Sequence, residues 1–170
     1  CNSAPTVIPV TVANSISNVT APVNKSICVN GNTSFSVSAG NGNPITYQWQ
    51  VSTDAGGSWN DIANGGVYSG VTTSTLNITG APANFNNNQY RAVLTVAACT
   101  STVNSGAATL TVNPLPVIVI NAAPYTKLYP GITTTITAAV SPNAAVTYQW
   151  YKNGIAVPGA TNATIVVDVD

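Results

Sequence analysis

Histidine, glutamate and methionine are absent from these 170 residues, and Arg91 is the only arginine. Each gap removes a class of chemistry. Without histidine there is no Ser-His-Asp or Cys-His nucleophile system and no imidazole ligand for a metal. Glycoside hydrolysis normally needs two carboxyl groups flanking the scissile bond, and the middle of the chain offers only Asp54 and Asp61. Charged residues make up 5% of the chain and sum to zero, which leaves no basic face for nucleic acid and no acidic face for cations. No apolar run approaches the roughly 20 residues of a membrane-spanning helix, and no stripe at the helical period survives inspection. No cofactor site is expected.

What remains is β-sheet vocabulary. Hydrophobic residues reach 45%, so burial can drive folding, and they alternate with polar ones. Ser34–Ala39, Thr46–Val51, Thr75–Ile78 and Tyr90–Val96 all read with period two, the pattern of half-buried strands. Asn-Gly, Gly-Gly and Asn-Pro pairs punctuate the chain at the roughly 8–12-residue spacing of an all-β sandwich. An internal repeat sets the unit size. Thr46-Tyr47-Gln48-Trp49 returns as Thr147-Tyr148-Gln149-Trp150, 101 residues on. The same offset relates the upstream strands carrying Phe35/Val37 and Ile136/Ala138, and Leu76-Asn77-Ile78 corresponds to Ile165-Val166-Val167 after a shorter connection.

These residues resemble immunoglobulin-like domains. Trp49 occupies the place of the core tryptophan of strand C, Leu76 and Ile78 match strand E, and Tyr90 follows Asn86-Asn87-Asn88 where a tyrosine corner opens strand F. The second cysteine of the usual inter-sheet disulfide is replaced by Ala92, and its strand B partner by Phe35 or Val37. The resemblance implies an apolar core of Phe35, Val37, Trp49, Leu76, Ile78, Tyr90 and Ala92, with Trp150 as the core tryptophan of a second copy. The wording of the segment from Tyr47 onward is similar to tandem repeats in giant cell-surface and secreted adhesin-type proteins of Bacteroidota.

One stretch points elsewhere. Ser52-x-Asp54-x-Gly56-x-Ser58-Trp59 has the spacing of the Asp box of sialidase-like propellers. Such enzymes use several arginines, and the inventory here rules the chemistry out. In the second copy Asn153-Gly154 stands at the corresponding place, a two-residue hairpin signal. The stretch is therefore expected to be the C–C′ hairpin, with the Asp54 carboxylate capping local N–H groups.

The repeat divides the chain into an isolated strand G (residues 1–15), a complete domain (16–113), and a domain ending after strand E (114–170). Either the segment is a window on a longer array, or adjacent subunits complete one another by strand donation. A lipidated Cys1 is a third arrangement. Cys1, Cys28 and Cys99 form an odd set, which suggests secretion with inter-domain or intermolecular disulfides. Cys28 and Cys99 belong at opposite ends of the sandwich, too far apart to pair within it. Asn18, Asn24, Asn32, Asn77 and Asn162 open N-x-[ST] sequons and are glycosylation candidates. Tyr68, Tyr125 and Tyr129 lie outside the obvious strands. The sequence thus reads as a non-catalytic extracellular segment of a fibre, stalk or adhesin, with copies of itself or adjacent domains as partners. A carbohydrate- or surface-binding accessory module is the alternative.

Overall fold

The computed structural model describes residues 15–40, 44–96, 101–142 and 145–168. The expected lone strand G, apart from its last residue, lies outside these. The chain divides into two compact units, Cys1–Asn113 and Pro114–Asp170.

The first unit is a two-sheet sandwich. One side joins β3 (Thr33–Ser36), β8 (Thr75–Ile78) and β7 (Tyr68–Ser69). The two-stranded pair of β1 (Ser17–Thr20) with β4 (Ser38–Gly40) continues strand B beyond a break at Val37. The Val37 N–H donates to the Ser74 carbonyl at 3.0 Å, which marks where the strand changes partner. The other side runs β2 (Lys25–Cys28), β11 (Ala108–Asn113), β9 (Gln89–Val96), β5 (Ile45–Ser52) and β6 (Asn60–Asp61). β10 (Ser101–Asn104) also pairs with β9. Strand G is thus divided into β10 and β11. At the break the buried Ser105 Oγ accepts the Ala92 N–H at 2.9 Å.

The core sits between these sheets. Phe35, Trp49, Leu76, Ile78, Tyr90, Ala92, Leu94 and Leu110 are all at most 1% exposed, with Val37 close behind. Phe35 stacks on Tyr90 at 4.9 Å between ring centroids. Tyr68, expected outside the strands, is instead in β7. Its ring stacks on Phe85, and its hydroxyl meets that of Tyr90 at 3.2 Å.

Trp49 is held on its polar side as well. Its indole Nε1–H donates to the Thr73 carbonyl at 2.9 Å. Its backbone N–H donates to Val71 and its carbonyl accepts from Ile62. The Gln48 Nε2 donates to both the Trp49 and Ile62 carbonyls at 2.9 Å.

The second unit repeats this arrangement. β12 (Val117–Ala123), β13 (Thr134–Ser141) and β16 (Thr164–Val167) form one sheet. β14 (Tyr151–Lys152) and β15 (Ile155–Ala156) form a hairpin through Asn153-Gly154, both at positive φ. Trp150 Nε1 donates to the Asn162 carbonyl at 2.8 Å, and Gln149 Nε2 donates to Trp150 and Val157. Burial does not follow. Trp150, expected in a core, is only half-buried, and Ile118 and Ile120 are 62% and 55% exposed. Among the described residues the second unit has no counterpart of β9, β10 or β11, and its apolar face is only partly covered.

Truncating Trp49 removes a fully buried large aromatic, so Trp49→Ala should cost about 3–5 kcal/mol by denaturant unfolding. The same change at half-buried Trp150 should cost clearly less. Equal losses would contradict the packing described. Gly70 has φ +75° and a Cβ there would run into the Thr75 carbonyl, so Gly70→Ala should also destabilise the first unit, read as a lowered denaturant midpoint.

Candidate functional site

The Asp-box stretch is a closed turn. Ser52 ends β5 with its side chain buried, and its Oγ donates to Asp54 Oδ1 at 2.7 Å. The same Oγ accepts the Gly56 N–H at 2.8 Å. Asp54 in turn accepts the Ser58 N–H at 2.9 Å and the Ser58 hydroxyl at 2.6 Å. Ala55 and Gly56 supply the positive φ angles that reverse the chain. Hydrogen bonds from Ser52, then from the Ser58 hydroxyl and N–H, hold the Asp54 carboxyl far below the usual carboxylate range. Both oxygens are engaged locally, so the carboxylate serves the turn.

The turn delivers Trp59 onto the sheet. The guanidinium carbon of Arg91 lies 4.2 Å from the Trp59 ring centroid, a cation–π stack. Gln50 faces Arg91 directly across β5 and β9. Arg91 Nε donates to Gln50 Oε1 at 2.9 Å, and Gln50 Nε2 donates to Asp61 Oδ1 at 2.8 Å. Sequence reasoning noted Trp59 as the end of the Asp-box spacing and Arg91 as the only arginine, and gave neither a role in a site. The only usable signal was the Trp that closes the box, because the Gln50–Arg91 register emerges only with strand pairing.

The remaining predicted residues are dispersed. Cys28, at the end of β2, is exposed and has no disulfide partner among the described residues, while Cys1 and Cys99 lie outside them. The five sequon asparagines are all exposed. Asn24 and Asn32 each accept a backbone N–H at 2.8 Å, from Thr109 and Gly80. Tyr125 and Tyr129 are exposed in the second unit. Among the described residues no group of three His, Cys, Asp or Glu is placed to hold a metal ion, and no helix is long and apolar enough to cross a membrane. The open face of the second unit carries a groove of about 240 Å³ lined by Ile118, Ile120, Val140, Tyr148 and Trp150 among others.

The family described as "Domain of unknown function (DUF8696)" matches residues 17–114, the whole of the described sandwich. The chain belongs to this family. No curated protein matches it. Among solved structures it is similar to the N-terminal four Ig domains of Dscam1 isoform 6.9, with 15% identity and a TM-score of 0.51 over 93% of this chain and 40% of that one. It is also similar to titin M4, with 20% identity and a TM-score of 0.48 over 61% of this chain and 100% of that one. The chain therefore spans about two fifths of the length of that Dscam1 structure. The Dscam1 likeness, at this identity, shows the fold: an immunoglobulin-like β-sandwich.

A depressed folded-state pKa contributes stability above the unfolded value and loses it as pH falls through the folded value. Asp54 should therefore remain ionised well below pH 4. Its carboxyl ¹³C shift should hold steady from pH 7 to pH 3, and a midpoint near 4 would contradict the closed turn.

Proposed function

We propose that this chain is a non-catalytic structural segment of an extracellular fibre, stalk or adhesin built from tandem immunoglobulin-like domains. The observation that carries the reading is the recurrence of one hydrogen-bonded Gln–Trp arrangement in consecutive units 101 residues apart, from Tyr47 to Tyr148. A catalytic site would be built once. A repeated scaffold is what an extended array needs. The Asn113-Pro114-Leu115-Pro116 joint restricts bending between units, because proline fixes φ. A neutral Asn- and Thr-rich surface avoids electrostatic repulsion between neighbours.

Its partners are adjacent domains of the same kind, or copies of itself. The exposed Ile118 and Ile120 and the groove beside Trp150 support completion of the second unit by strands from such a neighbour. Cys1, Cys28 and Cys99 would then form inter-domain or intermolecular disulfides. The alternative, a carbohydrate- or surface-binding module, is favoured by the Trp59–Arg91 stack alone.

Sedimentation and negative-stain microscopy of the 170-residue chain test this. Concentration-dependent oligomers or filaments, weakened by Ile118→Asp, are expected. A monomer at high concentration whose second unit resists hydrogen exchange throughout would overturn the reading.

A further inference from the structure

The first unit carries one cation held in a fixed orientation, and most of its hydrogen-bonding capacity is unspent. Arg91 is positioned three ways. Trp59 lies under the guanidinium, whose carbon is 4.2 Å from the ring centroid. Gln50 accepts from Nε, and Asp61 fixes the Gln50 amide so that its oxygen faces the arginine. The Asp54 turn holds Ser58 next to Trp59, and the indole edge lies against Gly56. Among the described residues neither Nη nitrogen makes a hydrogen bond or ion pair. A planar fork of this kind matches a carboxylate with two parallel N–H···O bonds, and its rotamer freedom is already restricted before a ligand arrives.

The surroundings select among carboxylates. In β9, Tyr90, Ala92, Leu94 and Val96 are buried, so Gln89, Arg91, Val93 and Thr95 occupy the outer face. Opposite them on β5 stand Gln50, Gln48 and Thr46, while Ser52, opposite Gln89, is buried and bonded within the Asp54 turn. Apart from Trp59, Val93 is the only apolar side chain in this group. A protein partner would need an apolar centre to fill. A second copy offers few carboxylates, since Asp54 and Asp61 are already engaged and Asp168 is the one other carboxylate among the described residues. A polar, nearly uncharged array of amides and hydroxyls around one cation suits a polyhydroxylated acid.

We propose that Arg91, backed by Trp59 and oriented by Gln50 and Asp61, is a binding site for the carboxylate of an acidic sugar in a surface or matrix polysaccharide. The proposal rests on the reading of the chain as an extracellular module. Its test reads ligand binding rather than assembly, so either can fail alone.

The experiment is an NMR titration of the 170-residue chain with trigalacturonate, its methyl ester, and sialyllactose. Saturable shifts at the Arg91 Nε–H and Trp59 Nε1–H with either acid support the site, and the acid that binds identifies the sugar class. The methyl ester, and the acid with Arg91→Gln, should bind about tenfold or more weakly, the scale of a hydrogen bond to a charged group. Arg91→Lys keeps the charge but loses the fork, and should also weaken binding. An unchanged Trp49 indole resonance shows that each variant is folded. No shift in the wild-type chain with either acid at millimolar concentration overturns the proposal. Equal binding of the methyl ester, or undiminished binding by Arg91→Gln, overturns it too.

Discussion

The sandwich depends on a tryptophan satisfied on every side. Burying Trp49 removes a large apolar surface from water, but its indole N–H and backbone polar groups cannot be left without partners there. The chain answers with Thr73, Val71 and Ile62, and these bonds fix two segments. Thr73 and Val71 bring in the connection to β8, Ile62 the strand after the Asp54 turn. Gln48 reinforces the same point from the adjacent position. One four-residue phrase thereby ties two chain segments to β5 around the core, which is why it can recur in the second unit despite a shorter loop.

The two units separate hydrogen bonding from burial. Trp150 keeps the bonds of Trp49 while losing its enclosure. β2 in the first unit is a strand because β11 lies beside it in parallel register. The residues 101 further on, around Leu128 and Tyr129, adopt no strand, since no partner is present among the described residues to pair with them. Local sequence prepares the edge, and the neighbouring strand makes it regular.

Alternation and the repeated Thr-Tyr-Gln-Trp phrase made the fold readable from sequence, because both reflect short-range geometry. The buried placement of Phe35, Leu76, Ile78 and Tyr90 follows from the same period. Tyr68 escaped because β7 is two residues long and its role depends on Tyr90, 22 residues away. The break in strand G escaped because it is defined by Ser105 reaching Ala92. The Arg91 face was illegible for the same reason: Gln50, Trp59, Asp61 and Arg91 belong to strands and a turn whose register no local pattern announces. The Asp-box spacing was visible, and its meaning here is to shape a turn and place Trp59.

The pairing of β2 with β11 has a mechanical consequence. These strands lie towards opposite ends of the first unit's sequence yet run in the same direction, from Lys25 beside Leu110 to Cys28 beside Asn113. Tension applied through the flanking chain pulls them in opposite senses along their common axis. The hydrogen bonds between them, lying across the line of force, are loaded together instead of opening one after another. Once β1 has parted from β4, resistance to extension is concentrated in a patch four residues long, and the sheets behind it remain shielded until that patch slides.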